Sequence, residues 1–359
     1  MYAEITPLDT VFFRDGRSFT MGEETWGASR FPPPPSVVYG ALRTRYFAEH
    51  PDRLEDAASP DDPTGEARLT AFHLRENGTP HFPVPRDLVH ESGQPSAGRG
   101  TTVVPTQPAP LPEGGAALGS LPSVLTHPRT VESVRGAYLP QGDLWGYLQG
   151  RQDTFTALDP EDDDLVHNEP KIGIRMDRTT RAADDGQLYR IGLRRLGEDV
   201  SFGVGVESLP LEEDGLLKLG GESKPARYET VSDTPPVSDP PEKKIGEASS
   251  FRLYLATPAI FEQGWLPGWI DPETLRGQQG KVTVHLQAAA VGKPGAVGGW
   301  DMEAGAPKPM SRTVPAGSVY YFAIEDGTAA GVVEAFHNTT LSDRRGAAGF
   351  GRALVGGPV

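Results

Sequence analysis

The sequence predicts an α+β fold in which antiparallel strands predominate and helices are few. Three observations carry that prediction. Residues 188–196 set Tyr189, Ile191 and Leu193 against Arg190, Gly192 and Arg194, the alternation of a half-buried strand with one basic face. Apolar runs of strand length recur at 251–255, 282–288 and 319–324. Only 36–49 and 332–338 read as helices. At roughly 100–200 residues per domain, a chain of 359 residues makes two domains, three at the outside.

Taken in order, Glu4 to Leu8 reads as a short strand. Val11 to Arg17 runs into an Asp15-Gly16 turn. Pro32 to Pro35 is a stiff extended stop, and Ser36 follows as the expected N-cap. Val38, Leu42, Tyr46 and Phe47 then recur at helical spacing, with Arg43 and Arg45 off the stripe. Residues 51–68 are acidic and Pro-rich, and 92–123 are rich in Gly, Pro, Ser and Ala, so both are expected as loops. The group Tyr138, Leu139, Leu144, Trp145, Tyr147 and Leu148 is expected to pack. Phe202 to Val206 is another strand, and 232–245 is a polar break. The segment 346–357 is glycine-rich but carries Phe350, Leu354 and Val355, which give it apolar surface to bury.

Hydrophobic residues make up 37% and charged residues 23%, a soluble globular composition. No apolar run approaches the ~18 residues of a membrane helix. Residues 1–7 lack a basic stretch and a long apolar stretch, so no secretory signal is expected, and the compartment implied is the cytoplasm. There are no cysteines, which excludes disulfides, thiolate zinc sites and thiol catalysis.

The net charge of −15 argues against a simple nucleic-acid binder. Its distribution is uneven, however. Residues 153–169 hold seven acids and no Lys or Arg, whereas 171–195 hold seven bases against three acids. Local fields of this kind decide where a polyanion docks. Arginines outnumber lysines 26 to 8; Arg is the better fork for phosphate, and a GC-rich genome gives the same ratio.

Catalytic signatures are missing. The eight histidines form no H-E-x-x-H or other tight pairing, and the acidic run at 159–164 lacks an EF-hand pattern. Nucleophile-elbow, phosphate-loop and dinucleotide motifs are absent. No catalytic residue, metal or cofactor is therefore expected. What remains is phosphate binding. Lys171, Arg175, Arg178 and Arg181 fall within eleven residues with Gly and Thr between them, a loop suited to phosphates, or else one paired to its acidic neighbour. Gly349 and Gly351 flank Phe350 ahead of Arg352, and glycines let a backbone approach a ligand closely. Trp300 stands near Lys308 and Arg312, where it is placed either to stack a base or simply to pack.

Blocks spanning nearly the whole chain resemble the third subunit of the Cmr effector complex of type III-B CRISPR systems, a member of the RAMP superfamily. They include Pro7-Leu8-Asp9, Phe12-Phe13-Arg14-Asp15-Gly16-Arg17, and Phe31-Pro32-Pro33-Pro34 followed by Tyr39-Gly40-Ala41-Leu42-Arg43. Others are Lys171-Ile172-Gly173-Ile174, Gly220-Gly221-Glu222-Ser223, Tyr254 to Phe261, Gly299-Trp300-Asp301 and Pro307-Lys308-Pro309. The run Gly349-Phe350-Gly351-Arg352 to Gly357 is similar to the RAMP glycine loop.

The resemblance implies two ferredoxin-like (RRM-type) domains packed together with long loop insertions, over 1–170 and 171–359. It implies a non-catalytic subunit that holds the 5′ handle of the CRISPR guide RNA and caps one end of the complex. The implied partners are the large cyclase-type subunit and the backbone RAMP subunits, with target RNA met indirectly and no membrane. The RNA-contacting residues expected on these grounds are Arg14, Arg17, Arg43, Lys171, Arg175, Arg178, Arg181, Trp300, Lys308, Arg312, Gly349, Gly351 and Arg352. Two other readings are a RAMP-type metal-independent endoribonuclease with a His acid or base, and a protein adaptor that never meets RNA.

Overall fold

A computed structural model describes residues 1–14, 26–27, 29–57, 59–93, 99–111, 121–176, 183–301 and 305–358, without the side chains of 26–27, 175, 183–189 and 300–301. Two main sheets organise it. The first has seven strands, in the order Tyr138–Pro140, Thr79–Pro83, Arg68–Glu76, Val200–Glu207, Tyr2–Pro7, Pro225–Thr230 and Asp214–Lys218. The second has six, in the order Arg276–Gln279, Val282–Ala290, Val319–Asp326, Ser250–Leu255, Arg352–Gly356 and Thr339–Thr340. Every pairing in them is antiparallel, as expected. In each sheet the four principal strands, numbered along the chain, lie in the order 2-3-1-4, the order of a ferredoxin-like unit.

The first helix, α1 (Pro35–Glu49), connects principal strands 1 and 2 of the first sheet. Its stripe of Val38, Ala41, Leu42, Tyr46 and Phe47 is buried against Ile5, Phe202, Val204 and Tyr228. The helix starts one residue before the expected 36, and Ser36 is not its cap. Pro34 occupies that position without a side-chain bond. Pro35 at the first turn has no N–H to satisfy and a preset φ, which lets the helix begin at that residue.

Three further helices complete the set: α2 (Gln141–Gln149), α3 (Glu242–Ala248) and α4 (Ala329–Phe336). Thr328 caps α4 by accepting from the Gly331 N–H, and Val332 and Phe336 face Phe251 and Phe322. The helix α2 carries the aromatic and leucine group expected to pack. Tyr147, Leu144 and Leu148 join Phe82, Leu88, Tyr254, Val319, Tyr321 and Leu354 in a core cluster drawn from both halves of the chain. The halves thus share apolar interior.

Five further expectations are corrected. Residues 92–123 are not one loop: Thr101–Pro105 and Gln107–Pro110 are strands, the latter paired with Ser123–Thr126. Prolines interrupt these runs, which hid their alternation. Lys171 to Met176 belongs to the strand Val166–Met176, paired with Ala183–Leu196 in a long hairpin, so the basic segment is an arm and not a loop as far as residue 176. Pro51–Asp56, inside the expected 51–68 loop, forms a 3-10 turn, and α3 begins within the expected 232–245 break. Finally, residue 170 lies inside a strand. Sheet membership changes instead between Thr230 and Ser250, because three strands after residue 199 add to the first sheet.

The acidic and basic segments partly neutralise each other. Arg194 bonds Glu161, and Arg195 bonds Glu169 and Asp9. The acidic run is itself folded: Asp159 accepts from the N–H groups of Glu161 and Asp162, and Asp163 accepts from those of Asp159 and Gly100.

Candidate functional site

The long hairpin displays what a free-standing fold would hide. In Val166–Met176, alternate side chains point to opposite faces. Ile172, Ile174 and Met176 are 62%, 47% and 51% exposed. The register sets Ile172 opposite Arg190, so that guanidinium shares the face of the exposed apolar pair Ile172 and Ile174. On the other face Ile191 and Leu193 are buried, which anchors the arm. Lys171 and Arg190 are exposed, and among the described residues no carboxylate pairs with them. Arg178, Arg181 and Arg17 lie outside the described residues, as does the side chain of Arg175.

The glycine loop leads directly into a strand. A 3-10 turn, Gly346–Ala348, leads through Gly349 (φ 87°) and Gly351 (φ 75°) into the strand Arg352–Gly356. Thr257 Oγ1 donates to the Gly349 carbonyl at 2.7 Å and accepts from the Arg352 N–H at 2.9 Å. Phe350 is fully buried. A Cβ at Gly349 would stand 2.7 Å from Leu69 Cδ2, and one at Gly351 would stand 2.5 Å from the Ser342 nitrogen. The close neighbours these glycines admit in the structure are the protein's own. Arg352 is half-buried and its guanidinium bonds Asn338, with burial pulling its pKa down.

The remaining expected residues are dispersed. Arg43 donates to Asp62 at 2.5 Å and to Thr64 at 2.6 Å, tied to its own loop. Arg14 is exposed and engaged. Lys308 and Arg312 are exposed on neighbouring small hairpins, with Pro307 opposite Trp300 and Arg312 opposite Ala296. The side chain of Trp300 is outside the described set.

Residues 3–358 match the family of CRISPR-associated protein (Cas_Cmr3). The chain belongs to that family. Among solved structures, this Cmr3-family chain is similar to a chain of the type III-B Cmr-beta complex bound to cognate target RNA and AMPPnP. The TM-score is 0.53 at 14% identity, over 89% of this chain and 86% of the other. A chain of the same complex bound to cognate target RNA alone gives 0.53 at 15%, with the same coverage. The likeness at this identity is one of fold. Among curated protein sequences, none matches.

Where the halves of this Cmr3-family chain meet, a buried polar centre went unread in the sequence. Asp87 accepts from Tyr147 Oη at 2.6 Å and from Tyr321 Oη. Arg252, 2% exposed, donates to the carbonyls of Gly357 and Tyr147 and lies 4.2 Å from the centroid of the Tyr147 ring. Burial pushes the Asp87 carboxyl up, and the Arg252 charge opposes that shift. Its bonds join residues of both halves of the chain, so the centre fastens them together. Among the described residues no group of three or more His, Asp and Glu is placed to hold a metal ion, and no helix is long and apolar enough to cross a membrane.

Proposed function

We propose that this chain is a non-catalytic subunit of a type III-B Cmr effector complex, holding the 5′ handle of the guide RNA and capping one end of the assembly. Its partners in this reading are the large cyclase-type subunit and the backbone RAMP subunits, with target RNA met through the guide. The observation that carries the reading is the hairpin. Apolar side chains left open to solvent on this hairpin mark an interaction surface. The unpaired Arg190, on the face of Ile172 and Ile174, and the exposed Lys171, on the other face opposite Ile191, add cations for phosphate, and Ile172 and Ile174 add surface for bases or partner side chains. Family membership and the Cmr-beta neighbours support the setting.

The test is a complex reconstituted with guide RNA labelled at its 5′ end. Lys171→Ala with Arg190→Ala is expected to lower photocrosslinking of this subunit to the handle while assembly persists. Unchanged crosslinking in an intact complex overturns the reading. So does cleavage of precursor RNA by the isolated chain in metal-free buffer, which would make it an endoribonuclease.

A further inference from the structure

Two cavities meet around the end of the strand Val282–Ala290. The first, about 360 Å³, is bounded by Trp265, Pro294, Arg312 and Val314 among others. The second, about 580 Å³, is bounded by Leu125, Val131, Arg135 and Lys293 among others. Ala289, Val291 and Gly292 line both, so the two form one groove.

The floor of the groove is apolar and half open. Leu125 and Val134 are partly buried against one core cluster, and Trp265, Ala289 and Val291 against another. The rim is basic. Arg135, Lys293 and Arg312 are exposed along it, and Arg86 is half-buried in the second cavity. Among the described residues no carboxylate lines either cavity, and none pairs with these four cations. That is unexpected in a chain with 49 acids to 34 bases. Elsewhere arginines are neutralised within the protein, as Arg45 is by Glu49, Arg99 by Glu76, Arg129 by Glu91 and Arg276 by Glu325.

Two buried polar atoms in the groove have no partner. Thr313, which lines the first cavity, is 2% exposed and its Oγ1 makes no hydrogen bond. Arg86 Nε, in the second, is buried and equally unpaired. The Arg86 guanidinium lies against Gly292, where a Cβ would come within 2.5 Å of its Cζ. Burial and the like charge of Arg135 both work against its ionisation. Such groups cost stability until a ligand brings an anion and hydrogen-bond partners to them.

We propose that this groove docks an extended acidic segment of another protein chain, with an aliphatic or aromatic side chain in the Trp265 cavity and carboxylates on Arg312, Lys293, Arg135 and Arg86. Charge complementarity selects the acid. The floor selects a peptide over a nucleic acid. Successive bases need successive aromatic faces to stack on, and Trp265 is the only aromatic ring lining the groove among the described residues. Valine, leucine and alanine instead match the aliphatic side chains of a peptide. Its backbone also brings the N–H groups that Thr313 Oγ1 lacks. The partner's place in the same assembly rests on the function proposed above, whereas the groove shares no residue with the hairpin.

Arg135 and Lys293 are exposed, so their replacement leaves the fold intact. Binding of a fluorescein-labelled peptide alternating Glu with Leu and Phe to the full chain is followed by anisotropy, beside a control peptide alternating Lys with Leu and Phe. The acidic peptide is expected to bind, and Arg135→Ala with Lys293→Ala to weaken it about tenfold. Val291→Asp, in the half-open floor, is expected to abolish binding with the fold kept by circular dichroism. No binding of the acidic peptide, equal binding of the lysine peptide, or unchanged affinity in the double variant overturns the groove. So does an oligouridylate of matched charge that binds more tightly than the peptide and is lost in the double variant, which would make the site one for nucleic acid. Lys171→Ala with Arg190→Ala is expected to leave peptide binding unchanged, so this proposal and the hairpin's crosslink to the handle fail separately. In the reconstituted complex, Pro294→benzoylphenylalanine is expected to crosslink to an acidic segment of another subunit that carries leucine or aromatic residues. A crosslink to RNA, to a basic segment or to no chain overturns the proposal.

Discussion

Replacing Gly351 by Ala separates two uses of a glycine. The position has φ 75°, and an L-residue there costs about 1–2 kcal/mol. The added Cβ would stand 2.5 Å from the Ser342 nitrogen and 2.7 Å from its Cβ. Neither neighbour is free to retreat. Ser342 Oγ accepts from the Ile260 N–H at 2.8 Å and donates to the Arg344 carbonyl at 2.7 Å, and the Gly351 N–H donates to Pro258 at 2.8 Å. Overpacking against fixed backbone adds about 1–3 kcal/mol, for a total of about 2–5 kcal/mol. Gly264→Ala is the matched control, since its φ is 82° with open space around the Cβ, so it loses only the conformational part. Urea unfolding, followed by the fluorescence of Trp265 and Trp269 in the second core, measures both variants. If Gly351→Ala loses no more than Gly264→Ala while guide-RNA retention collapses, the glycine serves a ligand outside the chain and the packing argument is refuted.

Two further outcomes follow from the buried polar groups. Burial pushes the His73 pKa down to about 3, from an ordinary value of 6.5. A base whose folded pKa is depressed contributes full stability above the unfolded value and loses it as pH falls towards the folded one. Wild type is therefore expected to lose about 1.4 kcal/mol more per pH unit than His73→Gln between pH 6 and pH 4, and parallel urea midpoints over that range would contradict this. Tyr321→Phe removes one of the two hydroxyls that donate to Asp87 and is expected to cost about 1.5–3 kcal/mol in the same unfolding assay, whereas a loss under about 0.5 kcal/mol would show that Tyr147 and Arg252 suffice.

Strands and helices with regular spacing were readable because their own residues decide them: α1 from Val38, Leu42 and Tyr46, and the second sheet from Phe251, Val284 and Phe322. Short strands between prolines, such as Gln107–Pro110, were not, since pairing with Ser123–Thr126 supplies what propensity does not. The site divided in the same way. The hairpin's basic arm was visible as charge close together in sequence, whereas its neutralisation by Glu161, Glu169 and Asp9 depends on folding. The role expected for Gly349 and Gly351 came from a motif, and their actual neighbours, Leu69 and Ser342, come from opposite ends of the chain.

The strand Tyr2–Pro7 lies inside the first sheet, with Tyr2 opposite Gly205 on one side and Ala3 opposite Thr230 on the other. Both partners reside about 200 residues further along. On a ribosome adding about 5–20 residues per second, that strand therefore waits roughly 10–40 s with both edges unpaired after it emerges. Bare edges of this kind recruit stray strands from other nascent chains. Production of the protein is thus exposed to aggregation during synthesis more than after it, and slower translation lengthens the window in which a chaperone must cover Ala3 and Ile5.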